Sequence, residues 1–379
     1  MMQLISLFRE ANYDITFATT ASETTYSEDL FAKEISVIPI LLNDATFDVF
    51  ISELNPNIVL FDRFITEEQF GWRVSENCPL ALRILDTEDL HFLRKAREEA
   101  YKNNNEVNLF SETAKRELAS ILRCDLSLII SVAEMQLLTE TFKIPKELLY
   151  YLPFLMEPFL KETPSFEERQ HFISMGNFQH APNVDAVIFL KKEIWPLIKK
   201  QLPEAELHIY GAYTPKYISE MHNENDGFLI KGWVEDGKKV MQQARVCVAP
   251  LRFGAGLKGK LLEAALNGTP SVTTCIGGEG MFSIAHISES ASAFVEATVS
   301  LYKKKQLWKA QQKIAFEVIE EQFLKVHFFS KFLETVAQLE KGVVQHRQKY
   351  FIGQILQHQT LYATKFMSKW IEEKQKKHP

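Results

Sequence analysis

The sequence alternates short apolar runs with helical stretches, and this alternation restricts the fold to a few classes. A predicted helix at 1–11 and a strand at 13–19 are followed by apolar runs at 35–40, 58–61, 81–85 and 126–130. Helical stretches such as 46–54 and 87–101 lie between them. Strands that alternate with helices form a parallel sheet with helices on both faces. The first part of the chain is therefore predicted to be a doubly wound α/β domain.

The same alternation starts again after an interval rich in proline and aromatic residues at 151–166. Its predicted strands are 171–175, 206–210, 228–232, 245–250 and 270–274, and its predicted helices include 183–200, 238–244 and 257–267. From about residue 288 onward, helix follows helix. A chain of 379 residues also exceeds what one hydrophobic core usually serves. We predict an amino-terminal domain at 1–160, a carboxy-terminal domain at 161–325 and a helical segment at 326–379.

Charge and cysteine content exclude several classes of protein. The formal net charge is −6, which argues against nucleic acid as the main partner because phosphate-backbone binding favours a basic surface. The four cysteines are widely spaced, so the sequence suggests neither a zinc site nor a disulfide framework and fits a reducing cytoplasm. The basic end at Lys374–Lys377 leaves two interpretations, a solvated tail or a weak peripheral contact with anionic lipid at the inner face of the membrane.

The most informative stretch runs from Val246 to Pro270, where a buried strand leads through a glycine-rich loop into a helix. Gly254 and Gly256 lie in this loop. A strand–loop–helix junction leaves backbone N–H groups at the helix start without internal partners, and the helix dipole adds positive potential there. This junction is therefore predicted to bind phosphate.

Charged side chains around the same loop extend the prediction from phosphate to a nucleotide. Arg252, Lys258 and Lys260 add positive charge suited to a diphosphate. Glu263 lies one turn after Lys260, and a carboxylate there suits the two hydroxyls of a ribose. The alternative is that Lys260 and Glu263 form an ordinary surface ion pair and that the glycines only turn the chain.

Several motifs in this order resemble a known family. The stretch RFGAGLKGKLLEAALNGTP (252–270) and the loop IGGEG (276–280) resemble the donor-site signature of retaining GT-B glycosyltransferases of family four. Further matches are GNF (176–178), ELHIYG (206–211) and GWV (232–234). The resemblance implies two Rossmann-like doubly wound parallel-sheet domains that face each other across a cleft, with carboxy-terminal helices that pack back toward the amino-terminal domain.

The resemblance assigns roles to individual residues. Lys260 matches the basic residue three positions before the ribose-binding glutamate, and Glu263 matches that glutamate. Trp233 and Val234 match the segment that flanks the nucleobase, although Trp233 is equally well explained as a core residue. The loop 277–280 matches the family segment that lies near the sugar. This match implies that Gly278 allows the backbone to approach the sugar closely and that Glu279 contacts a sugar hydroxyl.

The sequence departs from the family pattern in three places. Ala255 stands where many members have the first of two glutamates. The loop 177–183 lacks the usual arginine and lysine, so Arg252 and Lys258 are expected to supply the phosphate charge. The family's amino-terminal domain begins with a strand and a glycine-rich loop, whereas this sequence begins within the following helix, so either the true start lies upstream or that domain is incomplete.

Acids and a histidine follow the strand predicted at 81–85, at the sheet edge where open α/β sheets bind ligands. Family members often have a His or Asp here, close to the transferred sugar. Asp89 and His91 are therefore candidates to orient the acceptor hydroxyl or to accept its proton. The alternative is that Asp86, Thr87 and Asp89 cap the next helix while His91 packs or is solvated.

Taken with the resemblance, these residues predict transfer of a sugar from a nucleotide-diphosphate sugar to an acceptor hydroxyl. Arg252 and Lys260 are the catalytic candidates on the donor side, because positive charge there stabilises the leaving phosphates. Neither a metal ion nor a cofactor is then expected. The acceptor is expected to be a saccharide, a lipid-linked molecule or another small molecule. Three alternatives stay open: a nucleotide-sugar epimerase, a phosphorylase, and a nucleotide-sugar-binding protein without transferase activity.

Overall fold

The amino-terminal half consists of two parallel sheets flanked by helices, as seen in a computed structural model that describes residues 1–24, 27–159 and 161–377. Its elements in chain order are α1 (Met2–Glu10), β1 (Thr16–Thr19), β2 (Ser36–Pro39), α2 (Thr46–Leu54), β3 (Ile58–Asp62), α3 (Arg63–Asn77), β4 (Leu82–Asp86), α4 (His91–Asn103), α5 (Glu112–Arg123), β5 (Leu126–Ile129), α6 (Val132–Gln136) and β6 (Leu149–Tyr151). β1 pairs with β2, and a separate four-stranded sheet has the order β3-β4-β5-β6. The first described strand follows α1, as the sequence predicted.

The carboxy-terminal half contains one six-stranded parallel sheet. Its elements are β7 (Gln170–Met175), α7 (Ala181–Phe189), α8 (Trp195–Gln201), β8 (Leu207–Tyr210), α9 (Lys216–Ser219), β9 (Phe228–Gly232), α10 (Gly237–Gln243), β10 (Ala244–Ala249), α11 (Gly259–Leu266), β11 (Ser271–Thr274), α12 (Cys275–Gly278), β12 (His286–Ser288), α13 (Ala291–Lys303) and α14 (Lys305–Gln322). The strand order is β12-β11-β10-β7-β8-β9. The order reverses between β10 and β7, and the loops after these two strands therefore lie side by side where such sheets bind ligands.

Two long helices complete the chain and lie on the amino-terminal half. α15 (Phe329–Lys349) buries Phe332 and Val336 against strand residues such as Leu82. α16 (Phe351–Lys377) contacts α3 and α5. The connector between the halves passes beside the end of α14, where Met156 N donates a hydrogen bond to Phe323 O at 2.7 Å. None of the helices in the described ranges is long and apolar enough to cross a bilayer.

Most predicted elements are present, and the differences have local causes. The helix predicted at 183–200 is α7 and α8 joined by a π-helical turn, Leu190–Ile194. A second π-helical turn, Leu137–Thr141, follows α6. β6 and β12 were not predicted, because each has three residues and shows too few positions for a period of two to stand out. Short 3₁₀ turns occupy Phe31–Lys33, Lys146–Leu148, Phe282–Ile284 and Lys325–His327.

Candidate functional site

A cleft of about 380 Å³ separates the two halves of the molecule. Its amino-terminal wall includes Asp86, Glu88, Asp89 and Arg94, which follow β4 or lie on α4. Its carboxy-terminal wall is formed by the loops after β7 and β10 and the first turn of α11. The side chains of the carboxy-terminal wall include His180, Asn183, Lys258 and Lys260. The cleft therefore combines the two regions that the sequence selected as functional.

The loop between β10 and α11 has a backbone that requires glycine. The backbone angle φ is 149° at Gly254 and 62° at Gly256, and residues other than glycine rarely adopt such values. Gly259 then starts α11 at the cleft. The glycines shape the loop so that its backbone and the first turn of α11 face the cleft.

Lys258 is buried at the end of this loop without an acidic partner. Its Nζ donates to the carbonyl oxygens of Ala255, at 2.9 Å, and Gly256, at 2.5 Å. Among the described residues, no carboxylate lies within ion-pair distance of it. Burial lowers the pKa of Lys258 to about 8, because the charged form loses hydration. An ammonium group held by two carbonyl groups keeps its charge available for an anion.

Lys260 is held in a similar way on the first turn of α11. Its Nζ donates to Asn183 Oδ1 at 2.6 Å, and burial lowers the pKa of the amine to about 8. A Cβ atom on Gly176 would lie 2.9 Å from this Nζ, so the loop after β7 approaches the amine closely only because it has glycine there. Within the described part of the chain, Lys260 and Glu263 form no ion pair, and the simple surface-pair alternative is therefore wrong.

Glu263 faces the start of α10. A Cβ atom on Gly237 would lie 2.9 Å from Glu263 Oε1, which places the carboxylate next to the first residue of that helix. Burial raises the pKa of Glu263, and no charged or hydrogen-bonding group in the described chain offsets this effect. The segment of Trp233 and Val234 leads directly into α10. Trp233 is 52% exposed, which rules out the alternative that it fills the core.

Arg252 lies behind the loop and does not line the cleft. Its guanidinium binds Asp185 on α7 through two hydrogen bonds, of 2.9 and 2.6 Å. The same group lies between two aromatic rings, 4.6 Å from the ring centre of Tyr101 and 4.3 Å from that of Phe189. The arginine therefore joins the loop to α7 and to α4, and its charge is balanced by Asp185.

The tip of the loop is docked on the amino-terminal half. Arg97 on α4 donates to Gly254 O at 2.9 Å and forms two hydrogen bonds to Glu279, of 2.7 and 2.8 Å. Ala255 is buried within the hydrophobic core of the amino-terminal half. Gly278 is also buried, where a side chain would collide with Ile287. Glu279, expected to read a sugar hydroxyl, is thus engaged by Arg97.

Charges on the amino-terminal wall are partly paired, because Arg94 binds Asp89 whereas Asp86 and Glu88 add further acid. Arg94 donates to both carboxylate oxygens of Asp89, at 2.8 and 2.6 Å. His91 Nε2 lies 3.5 Å from Asp89 Oδ1, and the imidazole packs edge-on against Phe64. Burial, and then the charge of Arg94, lower the pKa of His91 to about 4, so the ring is neutral at pH 7. The wall presents a paired arginine, further acids and a neutral imidazole.

Two buried carboxylates hold the start of α4. Glu117 accepts hydrogen bonds from the backbone N–H groups of His91 and Phe92, at 3.1 and 2.8 Å. Glu134 Oε1 accepts from Leu90 N at 3.1 Å and from Gly256 N, in the other half, at 2.8 Å. The helix is therefore capped by these two glutamates, and the alternative that Asp86, Thr87 and Asp89 cap it is wrong.

Glu134 has an unusual environment even among the buried acids. Its Oε2 is buried and has no hydrogen-bond partner in the described part of the chain. Burial raises the pKa of this carboxyl to about 7.

Among the described residues, no group of three His, Cys, Asp or Glu side chains is arranged to hold a metal ion.

Comparisons with known proteins identify the architecture. Residues 169–304 match the family model described as glycosyl transferases group 1. The whole chain is similar to solved glycosyltransferases of the GT-B type. The chain has the GT-B fold. A search of curated proteins finds no matching sequence.

Three solved structures illustrate this GT-B similarity. A TarM variant from S. aureus, solved with fondaparinux, α-GlcNAc-glycerol and UDP, has a TM-score of 0.58 at 14% identity over 76% of this chain. The pneumococcal O-GlcNAc transferase GtfA, solved with UDP and GlcNAc, has a TM-score of 0.60 at 18% identity over 78% of this chain. HepE from Anabaena, solved with UDP and glucose, has a TM-score of 0.64 at 11% identity over 88% of this chain. This chain spans 58% of TarM, 60% of GtfA and 95% of HepE.

The segment that matches the group 1 model contains the predicted donor-side residues but not the opposite wall. Its range begins just before β7 and ends just after α13, and it includes Lys258, Lys260 and Glu263. Asp89 and His91 lie outside it. The prediction of a GT-B fold is confirmed, whereas the roles of individual site residues stay predictions.

Several residues of the site were not selected from the sequence. His180 precedes α7 and Asn183 lies in its first turn, in a stretch that was noted only for the basic residues that it lacks. Arg94 follows His91 by three positions on α4. The shared helix face could have indicated from the sequence that Arg94 lies near the site. Arg97 and Glu134 act through contacts with the other half of the GT-B fold, and no local pattern marks such residues.

Proposed function

We propose that this protein transfers a sugar from a nucleoside-diphosphate sugar to a hydroxyl group of an acceptor. The observation that carries the proposal is the pair Lys258 and Lys260, two amines on the cleft whose partners are carbonyl or amide oxygens. Two such amines beside the start of α11 match the charge of a diphosphate. The group 1 domain match covers the same segment.

The sugar-transfer step needs stabilisation of the leaving group. The acceptor oxygen forms a bond to C1 of the sugar while the bond from C1 to the diphosphate oxygen breaks, and the bonding electron pair goes to the diphosphate. We assign Lys260 to the phosphate that gains this charge, with Lys258 beside it, because fixed positive groups in a partly desolvated site stabilise developing negative charge. Two amines supply this charge, and we propose that neither a metal ion nor a cofactor is required.

The remainder of the donor is assigned to the region between α10 and α11. Glu263 accepts hydrogen bonds from the ribose hydroxyls, and the segment of Trp233 and Val234 flanks the base. We propose uridine as the base, because TarM, GtfA and HepE were each solved with UDP. A hexose or N-acetylhexosamine is the transferred group. Gly278 gives the backbone access to the sugar, and Glu279 contacts it when its bonds to Arg97 open.

We propose that the acceptor binds at the amino-terminal wall. We assign Asp89, on the cleft, and His91, whose Nε2 lies 3.5 Å from Asp89 Oδ1, to orient the incoming hydroxyl or to accept its proton. Retention of the anomeric configuration follows if the proton passes instead to the departing phosphate on the same face of the sugar. The acceptor is a saccharide, a lipid-linked molecule or another small molecule. We place the protein in the cytoplasm, in line with its free cysteines.

Donor binding is tested first by calorimetry with UDP, GDP, ADP and dTDP. UDP is expected to bind tightly to the wild type and at least about tenfold more weakly to Lys260→Ala, because a charged partner of the phosphate is removed. Lys313→Ala is the matched control, since Lys313 is an exposed lysine on α14. Failure of all four nucleotides to bind would overturn the donor assignment.

Product analysis separates the remaining alternatives. Incubation with UDP-glucose or UDP-GlcNAc and a panel of saccharide acceptors is expected to release UDP in step with a glycosylated product. A change of sugar configuration without acceptor would indicate an epimerase. Sugar phosphate formed only with added phosphate would indicate a phosphorylase. Tight UDP binding without any product would indicate a nucleotide-sugar-binding protein.

A further inference from the structure

An unusual row of large apolar side chains lies on the solvent face of α16. Phe351, Ile352, Ile355, Phe366, Met367 and Trp370 are each 44% to 64% exposed, and we call them the α16 stripe. Single exposed apolar residues are normal on a soluble protein, but two clusters of three on one helix, about 16 Å apart along its axis, are not. The row requires a partner that covers it.

Helical geometry places the α16 stripe on one face. At about 100° per residue, the six side chains fall within a sector of roughly 160°. The opposite face is fixed to the amino-terminal half: Arg73 donates to Ser368 and Glu372, and Gly353 lies against the backbone of Leu122. Because these contacts are buried, rotation of the helix to hide the stripe would break them.

The charge of α16 indicates the kind of partner. The helix has five lysines and two glutamates, a net charge of +3, in a chain whose net charge is −6. Lys365 and Lys369 contact acids of the amino-terminal half, Glu76 and Asp48. Lys374 lies on the exposed face, with its Nζ 5.2 Å from the ring centre of Trp370. Positive charge therefore borders the aromatic end of the stripe.

We propose that the α16 stripe docks on an anionic lipid surface, with α16 lying parallel to the plane of the bilayer. An aromatic and aliphatic face bordered by lysine is the pattern by which helices bind in the interfacial region of membranes. Lys374, beside Trp370 on the exposed face, supplies positive charge that anionic lipid attracts. The stripe lies on α16 and outside the cleft, so this inference stands independently of the proposed glycosyl transfer.

Vesicle flotation with the full chain tests the proposal. The wild type is expected to float with vesicles of phosphatidylcholine that contain phosphatidylglycerol, and less with phosphatidylcholine alone. F366S/M367S/W370S is expected to lower the partition coefficient at least about tenfold, because it removes apolar contacts with the lipid. The matched control F31S/L41S/V326S changes three side chains that are 87%, 61% and 71% exposed elsewhere, and is expected to bind as the wild type does. Lys374→Glu is expected to weaken binding about fivefold or more.

A second measurement reports on the contact directly. Quenching of tryptophan fluorescence by brominated lipid is expected in the wild type and should be reduced in Trp370→Phe, which keeps an apolar ring. Circular dichroism and thermal unfolding check that each variant is folded. The proposal is overturned if the wild type does not float with anionic vesicles, or if both triple variants float equally. It is also overturned if light scattering shows a wild-type dimer that F366S/M367S/W370S converts to a monomer, because a second copy would then cover the stripe.

Discussion

The two walls of the cleft differ in how their charges are satisfied. On the carboxy-terminal wall, Lys258 and Lys260 are held by uncharged oxygens, and burial lowers the pKa of both amines. On the amino-terminal wall, the nearest arginine is already paired, because Arg94 binds both oxygens of Asp89. One wall keeps positive charge for a ligand, whereas on the other the arginine is paired and Asp86 and Glu88 leave an excess of acid.

This difference favours different ligands for the two walls. Positive charge without an acidic partner is costly in a buried place unless an anion arrives, so the carboxy-terminal wall is suited to phosphate. A wall that combines a paired arginine with further acids offers hydrogen-bond donors and acceptors but does not attract an anion. Such a wall suits the hydroxyl groups of a saccharide. The predictions below test this contrast, beginning with the largest expected effect.

The largest effect is expected from Lys260→Ala. The variant removes the amine assigned to the leaving phosphate, and kcat/KM for transfer should fall by roughly 10² to 10³, as when one preorganised charge-stabilising group is removed. Steady-state kinetics with the best donor measures it. Lys313→Ala should keep wild-type kinetics. A Lys260→Ala enzyme within threefold of wild type would show that the carboxy-terminal wall does not stabilise the leaving group.

The next largest effect is expected from pH. Both lysine pKa values of about 8 mean that the charged forms dominate below pH 8 and are lost above it. Between pH 7 and 9.5, UDP affinity should therefore fall about tenfold or more. As the pH rises over the same range, the free energy of unfolding of the unliganded protein should increase. The unfolded lysines still bind protons up to about pH 10.5, whereas the folded ones have already lost them. Calorimetry and thermal unfolding at each pH test the two opposite trends, and constant UDP affinity would contradict the assignment.

A smaller effect is expected from breaking the contact between the walls. Arg97→Ala removes the hydrogen bond to Gly254 O and leaves Glu279 without its partner. Because this pair is mostly buried, kcat/KM should fall about tenfold and Arg97→Lys should recover part of it. Arg116→Ala breaks a more exposed pair with Glu68 and should have no effect. Equal kinetics for Arg97→Ala and Arg116→Ala would show that the docked loop does not matter for transfer.

The smallest effect on donor binding is expected from Arg252→Ala. Because Arg252 is bound to Asp185 behind the loop, the variant should lower the free energy of unfolding by about 2 kcal/mol. The Kd for UDP should change less than about threefold. Asp185→Ala should reproduce both results. A tenfold weaker Kd with unchanged stability would place Arg252 on the phosphate, as the sequence pattern predicted.

The donor-side loop was predictable because its signals are local. A buried strand, glycines that adopt positive φ, and a helix that begins with lysine follow one another within about twenty residues, and each signal has one physical meaning. The alternation of strands and helices likewise fixed the architecture before any contact was known.

Long-range pairings could not be predicted in the same way. Nothing near Arg252 in the sequence indicates that Asp185 would bind it, and the charge pattern alone favoured a phosphate. Glu117 caps a helix that begins 26 residues before it, so the acids next to that helix were the natural candidates. These side-chain pairings depend on how helices and strands pack against one another, and the local periodicity of the sequence does not determine that packing.

Glu134 links the two halves of the molecule beside the cleft. One carboxylate oxygen accepts hydrogen bonds from Leu90 N in the amino-terminal half and from Gly256 N in the carboxy-terminal half. If the halves separate, at least one of these backbone groups must find water instead. Separation of the halves would therefore release one of the hydrogen bonds that anchor the glycine-rich loop at Gly256.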